Sequence, residues 1–412
     1  MVDKKKVLFV INTLGRAGAE TAMITLMRRL LSGEYEGMYD ISLLVITAQG
    51  EMIDSIPKGV RVLGKGHHKA AVLDAAGRKI LRKTCTKALL KDAWMFRHFP
   101  YIAGNTLSMM TKGCVKPDKL MWRALSDAVD VKNEHYDLAV AFLEGGSTYF
   151  VADHVNADKK AAFIHVDYIQ AGYNRQLDLD CYDQMDRIFA VSDEVKETFL
   201  KMYPEYRNKT EVFHNLIDRD RIISMSKAGS GFKDGFKGKR IVTVSRLTDQ
   251  KALNVSIEAM KLIMYRLKTM PDHEPVRWYV FGEGNRRAFL KECIRKNGLE
   301  DCFLLCGSTD NPYPYMAQSD IYVHATGYEG KSIAIQEAKI LGKAVIASDC
   351  SGNREQIENG TDGMLVPFDA VSVSEAVLRL IYDVDLIGRY GEKAASEMTD
   401  DNNIDKLICL MR

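Results

Sequence analysis

Apolar residues along the chain gather in short runs separated by stretches with helical spacing. In the first half the runs are Val7–Ile11, Ile41–Ile46, Val60–Leu63, Leu138–Phe142, Ala161–His165 and Ile188–Ser192. They are continuous rather than alternating, the pattern of parallel strands buried on both faces. Between the first two runs, Ala22, Met23, Leu26, Met27 and Leu30 recur at helical spacing and predict an amphipathic helix. This βαβ rhythm predicts a doubly wound α/β sheet. It pauses at Ser226–Lys239, where Gly229, Gly231, Gly235 and Gly238 suggest a linker. It restarts with Ile241–Ser245, Val276–Phe281, Phe303–Cys306, Ile321–His324, Ala344–Ala347 and Met364–Val366. The expectation is two α/β domains, residues 1–225 and 226–412, with a cleft between them. The segment Val371–Arg412 reads as helical and could rest on either domain.

A length of 412 residues agrees with two cores, since single domains run to roughly 150–220 residues. The formal net charge of +2 argues against a nucleic-acid binder. The eight cysteines are scattered, without the paired spacing of a zinc site. The N-terminal apolar run Val7–Ile11 is too short for a signal peptide or a membrane span. These features suggest a cytoplasmic protein with reduced thiols.

Charge changes the picture in one region. Residues 65–125 hold thirteen Lys/Arg and three Asp, a local +10 that leaves the rest near −8. Trp94, Phe96, Phe99, Tyr101, Leu107, Met109, Met110 and Trp122 are interleaved with these cations. Two readings stand. The basic insert could touch an anionic membrane surface, or it could pack its aromatics on its own domain.

Candidate chemistry falls at predicted strand ends, where open α/β sheets bind ligands. After the first strand, Gly15 and Gly18 sit in Asn12–Glu20, a strand-to-helix loop whose amides could approach a phosphate. The spacing is not the dinucleotide fingerprint, and a plain tight turn is the alternative. In Ser245–Lys251, Arg246 and Lys251 could neutralise a diphosphate; two surface cations are the alternative. In Tyr328–Ala338, Glu329 would face the cleft mouth, Gly330 would permit close backbone approach, and Ser332 would cap a helix carrying Glu337. Phosphates could meet this helix start while Glu337 accepts hydrogen bonds from ribose. His165 ends a buried strand, and Glu144–Ser147 ends another that could line an acceptor side. Asp178-Leu-Asp180 reads as a solvated loop and Asp218-Arg-Asp220 as a helix start, neither needing a metal.

With these blocks in place the chain resembles the retaining GT-B glycosyltransferases of glycosyltransferase family four, which build capsules, lipopolysaccharides and related glycans. The resemblance rests on Gly15–Glu20, Ser245–Lys251, Phe281–Gly284 and the E-x7-E block from Glu329 to Glu337, with Asn311–Met316 and Gly352–Glu355 in support. It is weakest between about Lys65 and Lys132. It implies two Rossmann-like doubly wound domains facing a central cleft. It implies that Arg246 and Lys251 bind the donor diphosphate, Glu337 the ribose and Glu329 the donor sugar. The backbone of Gly330, Lys331, Ser332 and Ile333 would hold sugar or phosphate, Gly282 and Gly284 would line the nucleotide pocket, and Gly18 would approach the phosphates. His165 matches a histidine that many relatives place beside the donor sugar. Lys331 stands where many relatives carry an aromatic residue. No metal and no other cofactor is implied. The partners are a nucleotide-sugar donor, most often a UDP-sugar, and a glycan or lipid-linked acceptor, in cell-surface polysaccharide biosynthesis. Two competing readings on the same fold are a nucleotide-sugar 2-epimerase and a non-catalytic partner protein; the intact Arg246, Lys251, Glu329 and Glu337 argue against them.

Overall fold

The structure, a computed structural model, describes residues 4–64, 66–72, 74–111, 117–131, 134–269, 273–397 and 403–411. Lys65, Leu73 and residues 112–116 of the basic insert lie outside them. The chain divides into two units, Met1–Leu216 with Asp401–Arg412, and Ile217–Asp400.

The first unit holds seven strands, β1 (Lys5–Ile11), β2 (Tyr39–Val45), β3 (Arg61–Val62), β4 (His135–Ala141), β5 (Asn156–Ile164), β6 (Arg187–Ala190) and β7 (Thr210–Val212). They form one sheet in the order β3-β2-β1-β4-β5-β6-β7. All neighbours pair in parallel. The second unit has β8 (Lys239–Val244), β9 (Val276–Phe281), β10 (Phe303–Gly307), β11 (Ile321–His324), β12 (Ala344–Ser348) and β13 (Gly363–Val366). Their order is β10-β9-β8-β11-β12-β13, again all parallel. Each predicted apolar run falls on a strand, and the central strands are buried on both faces; the edge strand β3 is exposed at both of its residues. The short β7 escapes the pattern: Thr210-Glu-Val212 carries only one apolar side chain.

The helix Gly18–Leu30 buries Ala22, Met23, Leu26, Met27 and Leu30, the stripe its spacing predicts. Two boundaries differ from expectation. Ser226–Lys239 is not a free linker. The helix Arg219–Lys227 opens the second unit, and Phe232 packs on Tyr279 and Tyr315 at 4.5 and 5.1 Å. Asp234 accepts from Arg240 and from the Tyr279 hydroxyl. The C-terminal residues return to the first unit rather than staying with the second. The helix Ile404–Ile408 buries Ile404 and Leu407, and Lys406 Nζ donates to the Val212 carbonyl at 2.6 Å.

Candidate functional site

In each sheet the winding reverses beside the first strand, between β1 and β4 and between β8 and β11. At such a point the loops leaving neighbouring strand ends diverge and open a crevice. In the second unit those loops are Ser245–Ala252 and Ala325–Ser332, and they are laced together. Gly327 N and Thr326 Oγ1 donate to the Gln250 carbonyl at 3.1 and 3.0 Å. Gln250 Nε2 donates to the Tyr328 carbonyl at 3.1 Å. Glycines make the close packing possible. A Cβ on Gly282 would lie 1.9 Å from the Ser245 carbonyl oxygen, and one on Gly284 would lie 2.2 Å from that of Leu247. Gly352 supports Gly330 in the same way, at 1.8 Å from its carbonyl oxygen. Gly282 and Gly284 therefore shape the loop that carries Arg246.

Lys251, largely buried, ion-pairs with Glu329 across this crevice. His324, at the end of β11, joins them: its Nε2 lies 3.2 Å from Glu329 Oε2 and 3.3 Å from Lys251 Nζ. Burial pushes the Glu329 carboxyl up, but Lys251 and His324 outweigh it and hold the group far below the usual carboxylate range. Burial and the Lys251 charge both push the His324 imidazole down, so it is neutral. Arg246 is exposed and forms no ion pair among the described residues. Lys331 is half-buried, and Ile333 opens the helix Ile333–Ile340. Ser332 precedes this helix but does not cap it. Its Oγ turns to His324 Nε2, 3.3 Å away, and leaves the first helical amides without a side-chain acceptor.

Glu337, one turn inside that helix, is separate from this cluster. Its Oε1 accepts from the Tyr313 hydroxyl at 2.7 Å. Burial without a cation pushes its carboxyl up to about 7, against the pull of Tyr313. Thus Lys251, Glu329 and Ser332 come together and Glu337 stands apart. The sequence reading treated His324 only as a strand end and gave Tyr313 no role. A polar ring inside the apolar run Ile321–His324 was the available signal for the first.

In the first unit, Asn12 after β1 spans the crevice to the β4 loop: its Nδ2 donates to the Glu144 carbonyl and its Oδ1 accepts from Ser147 N. His165 N donates to Glu144 Oε2 at 3.0 Å. The His165 imidazole is pushed down to about 3 by burial, and its Nε2 has no partner among the described residues. Burial also raises the Glu144 carboxyl. Gly18 begins the helix Gly18–Leu30, whose N-cap Ala17 offers no side-chain acceptor, and a Cβ on Gly15 would only touch Val72. Trp122 of the insert comes to this crevice, with its Cε3 2.9 Å from where a Gly146 Cβ would be.

The insert divides its aromatics. Trp94, Tyr101 and Met109 are buried in the first core, whereas Phe96, Phe99, Leu107 and Met110 are exposed by more than 60%. Asp178 is no solvated loop residue. It is fully buried and accepts from the hydroxyls of Tyr149, Tyr168 and Tyr203, while burial raises it to about 6. The Tyr side chains surround it because an unmet carboxylate in that core would be costly. Asp218, in contrast, caps the helix Arg219–Lys227 as its sequence position suggests. Among the described residues no three His, Cys, Asp or Glu side chains cluster as metal ligands.

Residues 238–383 match the family described as Glycosyl transferases group 1. That match lies within the second unit. Curated relatives agree over parts of their length. The chain is similar to the amylovoran biosynthesis glycosyltransferase AmsK of Erwinia amylovora, 33% identical over 34% of this chain and 35% of that protein. A Campylobacter jejuni enzyme, N-acetylgalactosamine-N,N'-diacetylbacillosaminyl-diphospho-undecaprenol 4-alpha-N-acetylgalactosaminyltransferase, is 29% identical over 52% of this chain and 55% of its own. The chain therefore spans about a third to a half of these relatives. Over its whole length the fold is that of Anabaena HepE, solved in complex with UDP-glucose, with a TM-score of 0.63, 16% identity and 98% of each chain covered. The fold is GT-B, two Rossmann-like domains, and the group 1 match falls within the second of them.

Proposed function

We propose that this chain is a retaining glycosyltransferase that moves a hexose-type sugar from a UDP-sugar to a glycan or lipid-linked acceptor in cell-surface polysaccharide biosynthesis. The observation that carries the reading is the buried Lys251 at the β8/β11 crevice, beside the exposed Arg246 and an uncapped helix start. A departing nucleoside diphosphate needs positive charge placed before the bond breaks. Lys251, Arg246 and the amides from Gly330 to Ile333 supply it without a metal. Glu337 accepts from the ribose hydroxyls, and Glu329 takes hydroxyls of the donor sugar. In a retaining transfer the acceptor attacks from the face the diphosphate leaves, and the leaving phosphate takes the acceptor's proton. The similarity to two glycosyltransferases of glycan assembly, and to a fold that holds UDP-glucose, supports this reading.

The test is thermal shift and slow hydrolysis against UDP-, GDP-, ADP- and CMP-sugars, with and without EDTA. Stabilisation by UDP-sugars with EDTA-insensitive UDP release is expected. Absence of any shift overturns the donor site, and EDTA-sensitive release overturns the metal-free mechanism.

The acceptor side suggests a cytoplasmic enzyme that rests on the inner membrane face. No described helix is long and apolar enough to cross a membrane. The helix Phe99–Thr111 has no charged residue, and Phe99, Leu107 and Met110 share its exposed side. Earlier in the insert, the helix Ala75–Leu90 exposes Arg78, Lys79, Arg82, Lys83 and Lys87. Apolar side chains beside cations suit anionic headgroups. Flotation with anionic vesicles, lost in a Phe96→Asp/Phe99→Asp variant, is expected; equal flotation of the variant removes this contact.

A further inference from the structure

We propose that His324 is a positioning residue of the donor site: it keeps a hydrogen bond on Glu329 when Lys251 turns from that carboxylate to a diphosphate. This inference rests on the donor-site reading above. Lys251 is already paired with Glu329 in the structure. A diphosphate has the same sign as Glu329 and competes for the same ammonium group. When Lys251 is drawn away, Glu329 loses its cation while it is still mostly enclosed, with 15% of its side chain exposed. A buried carboxylate stripped of its partner is costly, and that cost would oppose donor binding.

His324 is placed to lower it. The ring is 3% exposed, and Nε2 lies within 3.3 Å of Lys251 Nζ, Glu329 Oε2 and Ser332 Oγ. A neutral imidazole carries one proton. Nδ1 is buried with no partner among the described residues, so a proton there would be an orphaned donor, the more costly arrangement beside an ionised carboxylate waiting at Nε2. The proton therefore sits on Nε2 and points at Glu329, which can only accept. Lys251 is free to leave this triangle; His324, fixed at the end of β11, is not. Glu329 then keeps one donor and stays oriented for the sugar hydroxyls while Lys251 serves the phosphates.

The experiment compares UDP affinity by titration calorimetry in the unmodified protein, His324→Leu and His324→Gln. Leucine keeps the volume and removes the donor, whereas the glutamine amide can reach Glu329. The expected result is a loss of about tenfold or more for His324→Leu, and recovery to within about threefold in His324→Gln. UDP binding by His324→Leu as tight as in the unmodified protein overturns the inference while leaving the donor site in place. No UDP binding by the unmodified protein overturns the donor-site reading and this inference with it. If His324→Leu does not fold, nitrogen NMR of histidine-labelled protein decides, with the signal assigned by its loss in His324→Gln. A protonated Nε2 before and after UDP saturation supports the inference, and a protonated Nδ1 in either state overturns it.

Discussion

The two crevices share a topology and differ in how they treat charge. Beside β8 and β11 an ionised pair, Lys251 and Glu329, is enclosed and kept charged by mutual contact and by His324. Beside β1 and β4 the polar groups are enclosed without a direct ion pair to Glu144 or His165 among the described residues. The His165 imidazole is held neutral with a bare nitrogen, and the Glu144 carboxyl is raised. One strand-end crevice encloses a compensated ion pair. The other encloses a carboxyl that burial raises and an imidazole that burial keeps neutral. One topology thus carries two different charge arrangements, and the difference lies in two or three side chains rather than in the sheets.

The comparison can be broken most severely at Lys251. Lys251→Met is expected to leave Glu329 buried and unpaired, with a loss of about 3 kcal/mol in denaturant unfolding and of measurable UDP binding. An unchanged midpoint would show that the pair is not a compensated charge site. Gly352→Ala comes next. Its new Cβ would lie 1.8 Å from the Gly330 carbonyl oxygen, and the forced shift of the loop should cost about 2 kcal/mol and weaken UDP binding. A normal midpoint with normal UDP affinity would remove the claim that this approach shapes the site.

Glu337 sharpens the comparison through pH. Its folded value of about 7 lies above the ordinary 4.5, so between those values the folded state holds the proton more tightly than the unfolded state. Stability therefore falls as pH rises through this window and levels off above about 7. Melting temperatures should show a smaller fall for Glu337→Gln than for the unmodified protein over the same interval. Identical slopes would mean that the carboxyl is not raised. Ribose hydroxyls would favour the carboxylate, so UDP binding near pH 6 should release a proton, seen as a buffer-dependent calorimetric heat. The smallest effect is expected at His165. His165→Phe should change stability by less than about 1 kcal/mol while lowering sugar transfer. A larger loss of stability would show that the ring's hydrogen bond with the Phe142 backbone matters more than expected.

Much of the fold was legible because buried parallel strands write themselves as apolar runs, and twelve such runs fall on the strands. The missed β7 is three residues long and carries a single apolar side chain, too little to register as a run. The Gly-rich segment misled because Phe232 and Asp234, not the glycines, decide where it rests. That Arg246 and Lys251 follow β8, and that Glu329 precedes the helix carrying Glu337, was legible from order and spacing. Their electrostatic states were not, since the contrast between Glu329 and Glu337 depends on which carboxyl meets a cation across the chain. Asp178 was misread for the same reason: its three tyrosine partners lie at 149, 168 and 203 and share no local pattern with it.

The return of the C-terminal helix has a consequence for synthesis. The first unit is built from the beginning of the chain, yet Tyr35 meets Asp405, and Ile404 and Leu407 are fully buried in that unit. A ribosome makes the whole of the second unit before it makes these residues. The earlier unit must therefore wait, with part of its apolar surface uncovered, until the later one has emerged. A premature stop just before residue 403 would damage the domain made first rather than the one made last.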